Sequence, residues 1–163
     1  MNAAAIYPGS FDPVTNGHLD IIRRSREVFP RLIVAVLRNS RKEALFPVSA
    51  RSAMLEQLLA DDAGIEVISF EGLLVEVAKE HDASVIIRGL RAVTDFEYEF
   101  QMAMMNRHLD GRIKTMFMVP HEDYTYLSSS LIKEIYELGG TATSMVPAEV
   151  EEQLREHFTR RKE

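Results

Sequence analysis

Short apolar runs alternate along the chain with longer stretches whose apolar positions recur every three or four residues. The runs Ala3–Tyr7, Leu32–Leu37, Ile65–Ser69, Ser84–Ile87 and Thr115–Val119 are rich in Val, Ile and Ala and read as short buried strands. Between and after them, helical spacing predicts helices over Gly17–Val28, Ala50–Ala60, Leu73–Glu80, Thr94–Asp110 and Ser129–Leu138. Ser49 is the expected N-cap of the second helix and Gly139–Gly140 the stop of the fifth. Pro147, at a first-turn position, opens a final helix through about Phe158. Strands joined by helical crossovers imply an α/β fold: a doubly wound, five-stranded parallel sheet with right-handed connections. No repeat, low-complexity tract or polar linker interrupts the pattern, so residues 1–163 read as one domain.

The Thr94–Asp110 helix carries two apolar stripes, Phe96, Phe100 and Met104 on one and Tyr98, Met102, Met105 and Leu109 on the other. Such a helix is expected to be buried on two sides. The cover is core packing, a ligand wall or a second subunit.

Composition narrows the function. The chain has no cysteine, which excludes disulfides and thiolate metal sites and fits a cytoplasmic protein. No apolar run approaches the ~20 residues of a membrane span, and the N-terminal stretch lacks the features of a signal peptide. A net charge of −6 argues against nucleic acid as a partner, which calls for a basic footprint. A phosphate-rich ligand must then meet a local positive cluster.

Parallel strands place all their carboxyl ends on one edge of the sheet, where such folds bind ligands. After the first strand comes Pro8-Gly9-Ser10-Phe11-Asp12-Pro13, then Thr15-Asn16-Gly17-His18 entering a helix. The second strand is followed by Arg38-Asn39-Ser40-Arg41-Lys42 and the fourth by Arg88-Gly89-Leu90-Arg91. The fifth is followed by His121 and then Ser128-Ser129-Ser130 at a helix start. Basic and hydroxyl-bearing residues thus converge from four loops of an acidic protein.

A helix N-terminus reached through a glycine offers free N–H groups and partial positive charge to phosphate. His18 is either a structural first-turn residue or a donor to a phosphoryl oxygen, and its glycine-containing approach favours the second. Lys42 belongs to a solvated charge run or holds an anion. Arg88 ends an apolar strand, where burial calls for an anionic partner. The serines form an N-cap cluster, a polyphosphate cradle, or both. The chain has neither a G-x-x-x-x-G-K-[ST] loop nor a G-x-G-x-x-G fingerprint. It also lacks H-E-x-x-H and a G-x-S-x-G elbow, and His121-Glu122-Asp123 reads as a polar loop rather than a metal site.

Three long motifs in order, YPGSFDPVTNGH at 7–18, IIRGLRAVTDFEYEFQMAMMNRHL at 86–109 and YLSSSLIKE at 126–134, resemble those of the bacterial phosphopantetheine adenylyltransferases. These are nucleotidyltransferases of the H-x-G-H type with a Rossmann-like fold, and Thr15 replaces the leading histidine. The resemblance implies transfer of AMP from ATP to 4′-phosphopantetheine, a step of coenzyme A synthesis. It implies His18 as transition-state stabiliser, with Ser10, in place of the usual threonine, and Lys42 beside the reacting phosphates. Lys42 and Arg88 are implied as ligands of the acceptor phosphate. Arg91 with Ser128, Ser129 and Ser130 would clamp the β- and γ-phosphates. Phe11, Gly89, Leu90, Glu99, Tyr124, Thr125, Tyr126 and Leu127 would complete the ATP site. Leu74, Met102, Met105, Asn106 and Glu134 would line the pantetheine arm. Lys133 stands where relatives often carry arginine, and Gly72 where some carry aspartate. Also implied are Mg²⁺ carried by ATP with no protein side chain as its ligand, a homohexamer, and feedback inhibition by coenzyme A.

Such chemistry needs no general base. The acceptor phosphate, with a second pKa of about 6, is mostly dianionic at pH 7, and pyrophosphate leaves readily. Two rivals remain at this stage: a related transferase acting on nicotinate mononucleotide or a glycerol phosphate, and a non-catalytic nucleotide-binding regulator.

Overall fold

A computed structural model describes residues 4–38, 43–91 and 93–160. Five strands, β1 (Ala4–Gly9), β2 (Arg31–Leu37), β3 (Ile65–Phe70), β4 (Ala83–Gly89) and β5 (Lys114–Met118), form one sheet in the order β3-β2-β1-β4-β5. Every pairing is parallel. The helices are α1 (Asn16–Val28), α2 (Val48–Leu58), α3 (Leu74–Glu80), α4 (Val93–Leu109), α5 (Ser129–Glu137) and α6 (Ala148–Arg160). The α/β architecture expected from the alternating pattern is the one present.

The period of two along the strands divides the core. Ala5 and Tyr7 of β1 and Leu32, Val34 and Val36 of β2 face one side, where α1, α2, α5 and α6 supply Ile22, Leu55, Ile132 and Leu154. Ala4, Ile6, Ile33 and Ala35 face the other, against Val75 and Ala78 of α3. Strand order reverses at β1, with the chain running outward to β2 and β3 on one flank and to β4 and β5 on the other. The crevice beyond the carboxyl ends of β1 and β4 is therefore the ligand position that topology prescribes.

Three local expectations change. Ser49 is not the cap of α2. Pro47, fixed at φ −60° and extended, is the N-cap, and the helix begins one residue before Ser49. Pro47 thus delivers the chain in the non-helical geometry a cap needs. Likewise Pro147 lies one residue ahead of α6 and accepts from Glu151 N at 2.9 Å. The third concerns α4, which the described chain does not bury on two sides. Phe96, Phe100, Met104, Tyr98, Met102, Met105 and Leu109 are all at least 40% exposed.

Candidate active site

A cleft of about 400 Å³ opens beyond β1 and β4. Its first wall is the turn after β1. Phe11 takes φ 48°, in the left-handed region, and the Asp12–Pro13 bond is cis. The left-handed residue folds the Phe11 ring back over Gly9, where a Cβ would lie 2.9–3.1 Å from the ring carbons. Only glycine fits beneath it. The ring stands edge-on to Tyr7 at 5.6 Å and to His18 at 5.1 Å between centroids. It buttresses the imidazole from the buried side.

His18 is further fixed by the start of α1. Thr15 is the N-cap, and its hydroxyl accepts from His18 N at 3.4 Å. In return, Thr15 N donates to His18 Nδ1 at 3.0 Å. This is a capping box with histidine in the place usually held by Glu or Gln. An amide can only donate, so Nδ1 is an acceptor and the neutral ring carries its proton on Nε2. Burial, followed by the nearby Arg91 guanidinium, lowers the His18 pKa to about 4. The ring that lines the cleft is a neutral N–H donor at physiological pH.

This shift makes a testable claim on stability. Between about pH 6.5 and 4 the unfolded chain protonates His18 while the folded chain does not, so stability is lost as pH falls through that window. The expected decline from this residue is about 3 kcal/mol. Urea denaturation of the unliganded protein at several pH values, compared with His18→Asn, checks it. The variant should show the shallower slope.

The start of α5 makes the second wall. Ser128 caps the helix, accepting from Leu131 N at 3.0 Å, and Ser129 Oγ donates to Pro13 O at 2.7 Å. The serine cluster is therefore both a cap and a cleft wall. Two helix N-termini, those of α1 and α5, face the same space and give it partial positive charge.

The third wall comes from β4 and its exit. Arg88 donates through Nε and Nη2 to the two carboxylate oxygens of Glu99 on α4, each at 2.6 Å. Its Nη1 reaches Pro8 O at 3.2 Å. Burial, the largest single influence, would depress the guanidinium, but the hydrogen bonds and the charge of Glu99, with smaller help from Tyr7 and Tyr98, together hold the pKa above the ordinary arginine value. Arg91 donates to Leu127 O at 2.8 Å and to Asp95 at 3.2 Å. Lys133 of α5 pairs with Asp12 at 3.0 Å. The buried Asp12 carboxylate also accepts from Leu45 N and Phe46 N, both at 2.9 Å. Among the described residues no group of three His, Asp or Glu is placed to hold a metal ion.

A family model described as cytidylyltransferase-like matches residues 6–135. A phosphopantetheine adenylyltransferase of Geotalea daltonii is 51% identical over 96% of this chain and 97% of its own. The chain belongs to the phosphopantetheine adenylyltransferases. Members from Desulfosudis oleivorans (54% identity, 93% of this chain and 90% of that one) and Geobacter sulfurreducens (50%, 94% and 94%) agree. Among solved structures, one assigned as a nicotinate-nucleotide adenylyltransferase from Vibrio parahaemolyticus superposes with a TM-score of 0.70 at 16% identity. It covers 98% of this chain and 96% of its own. A lipopolysaccharide core biosynthesis protein of Thermoplasma volcanium gives 0.57 at 19%, covering 74% and 98%. At those identities the two report the fold alone.

On this phosphopantetheine adenylyltransferase frame, Ser10, Phe11, His18, Arg88, Gly89, Arg91, Glu99, Tyr124, Leu127, Ser128, Ser129 and Ser130 all line the one cleft. Arg88 and His18 thus meet, as the sequence reading required. Leu90, Thr125 and Tyr126 do not line it. Leu74, Met102, Met105 and Asn106 stand away from it as well. Leu74 packs against the core on the α3 face, Asn106 is buried, and the two methionines are half-exposed on α4. Glu134 lines a second, open groove between α5, α6 and Glu43–Phe46, which adjoins the cleft through Ser130 and Lys133. Lys42, with Asn39, Ser40 and Arg41, lies outside the described residues.

The adenylyltransferase cleft also contains residues the sequence reading assigned no role. Asp12 holds Lys133 and the Leu45–Phe46 main chain. Arg51, only 4% exposed, donates to three main-chain carbonyls and lines the floor. Its spacing from Met54 and Leu55 was the available signal, since it places a cation on the apolar face of α2.

Proposed function

We propose that the chain transfers the adenylyl group of ATP to the phosphate of 4′-phosphopantetheine, giving dephospho-coenzyme A and pyrophosphate. The observation that carries this reading is the His18 arrangement. A neutral imidazole with its Nδ1 occupied presents an N–H donor to a cleft walled by cations and helix N-termini. That suits an in-line displacement whose nucleophile is already a dianion, where catalysis is alignment and charge stabilisation rather than proton abstraction.

In this scheme Arg91 and the free amides at the start of α5 hold the β- and γ-phosphates. Arg88, with Lys42, holds the acceptor phosphate. Ser10 sits at the exposed lip of the turn, beside the position of the reacting phosphates. His18 Nε2–H donates to the α-phosphoryl oxygens as negative charge grows on them. Glu99, which lines the same cleft, orients Arg88 beside the nucleotide. Mg²⁺ carried by ATP would supply counter-charge to the pyrophosphate, while Arg91 and the amides at the start of α5 hold and orient it. Coenzyme A shares the pantetheine arm and adenine nucleotide of the product, so it competes for the same cleft as an inhibitor. The place of the reaction is the cytoplasm; among the described residues no helix is long and apolar enough to cross a membrane.

Incubation with ATP, Mg²⁺ and phosphopantetheine tests the reading directly. Dephospho-coenzyme A and pyrophosphate should form in equal amounts. Faster pyrophosphate release with nicotinate mononucleotide or glycerol 3-phosphate would assign a different acceptor. Tight ATP binding without turnover of any acceptor would make the chain a regulator.

The exposed apolar face of α4 supports a homo-oligomer, with the count of six taken from the resemblance. Phe96 and Phe100 stack at 5.7 Å and Met104 continues the stripe by a further turn, an apolar surface of the kind that marks an interface. Phe100→Glu combined with Met104→Glu should reduce the sedimenting mass to a smaller species. An unchanged mass would place the subunit contact elsewhere.

A further inference from the structure

Arg51 is the one cleft cation among the described residues with no carboxylate partner. Arg88 has Glu99, Arg91 has Asp95 and Lys133 has Asp12, but no acidic group lies within ion-pair distance of Arg51. Its contacts are all carbonyls, and each belongs to a different part of the site. Nε donates to Phe46 O at 3.0 Å, and Nη1 donates to Ser10 O at 2.5 Å and to Leu37 O at 3.2 Å. Ser10 belongs to the turn after β1. Leu37 ends β2, five residues before Lys42, and Phe46 stands four residues after it. Asp12 lends a weaker attraction from a distance, but its oxygens are taken by Lys133 and two amides. Lys133, Asp12 and Arg51 together leave one positive charge beneath the cleft floor.

A guanidinium this buried is costly unless its charge is met. Three carbonyl dipoles orient it, yet they carry no net charge. We propose that Arg51 is a positioning residue for the polyanionic substrates. It pins the Ser10 turn to Leu37 at the end of β2 and to Phe46 ahead of α2, and its charge is compensated by bound phosphate instead of by a protein carboxylate. The inference rests on the adenylyl-transfer reading and names a further residue of that site.

The test compares wild type, Arg51→Gln and Arg51→Lys by ATP titration calorimetry at low and physiological salt, with steady-state kinetics and unliganded melting in parallel. Gln keeps amide donors for the carbonyls but removes the charge, and should weaken ATP binding about tenfold with a flatter salt dependence. Lys keeps the charge and should bind ATP within about threefold of wild type, even where loss of the fork lowers the melting temperature. Its kcat should fall more than its KM for ATP rises, since the charge survives but the Ser10 turn loosens against Leu37 and Phe46. Wild-type affinity in Arg51→Gln overturns the proposal. So does an Arg51→Lys variant that loses affinity as far as Arg51→Gln, or, if the glutamine variant does not fold, by tenfold or more on its own. A wild-type protein that releases no pyrophosphate with phosphopantetheine overturns the functional reading instead, which the unmutated control reveals independently.

Discussion

His18→Ala is expected to lower kcat by about 10²–10³-fold, equivalent to roughly 3–4 kcal/mol of transition-state stabilisation. ATP affinity should stay close to wild type. In the proposed scheme the imidazole's Nε2–H is one donor among many in the ground state, since Arg91 and two helix N-termini line the same cleft. Only as charge grows on the α-phosphoryl oxygens does it become the decisive one. Stability should change little, because Thr15 keeps its hydroxyl bond to the main chain at position 18, and only the return half of the capping box is lost. Stopped-flow or steady-state turnover with phosphopantetheine, set beside a melting curve, separates the outcomes. A variant that turns over normally but melts several degrees lower would make His18 a structural residue.

Glu99→Ala should have the largest effect on stability. The Arg88–Glu99 pair is two-fold hydrogen-bonded, with side chains 28% and 11% exposed. Removing one member leaves the other charge uncompensated in a partly dry site, which typically costs 3–5 kcal/mol. Residual solvent contact of Arg88 places the expected loss near the lower end, about 3 kcal/mol. The two directions of truncation differ in a useful way. Glu99→Ala leaves a cation, which a phosphate can satisfy, so ATP or inorganic phosphate should recover part of the lost melting temperature. Arg88→Ala leaves a carboxylate, and the same anions should recover none. Thermal melts of both variants with and without phosphate check this. Equal recovery would mean that Arg88 does not face the anion site.

The five strands and six α-helices described above were legible because the strands are short unbroken apolar runs and most of the helices, α1, α5 and α6 above all, keep an apolar face with a period of three to four. The convergence of His18, Arg88, Arg91 and Ser128–Ser130 was legible because parallel topology sends every strand's carboxyl end to one edge. What stayed hidden depended on pairing across elements. Arg88 on β4 and Glu99 on α4 both stood in the motifs, but only the packing of α4 over the end of β4 brings one to the other. Arg51 was hidden for a related reason. Its partners are carbonyls, which every residue has, so no sequence pattern can name them. Ser49 misled because serine is the commoner cap, whereas the proline two residues earlier had already set the entry geometry. On α4 the two stripes were read correctly as apolar, but a pattern along one chain does not say whether its cover is the same chain or another.

The sheet order has a consequence for how the protein comes into being. The first strand made is the central one, and its two neighbours are β2 and β4, so the nucleotide cleft stays half-built while the ribosome adds β2 and β3. Pro13 and Ser129, joined by a hydrogen bond, stand 116 residues apart. In the proposed scheme, where the start of α5 holds the phosphates, a nascent chain is expected to gain affinity for ATP only when α5 has emerged. Once folded, a nucleotide lying across that junction staples the earliest segment to one of the last, so its release should precede global unfolding rather than local fraying.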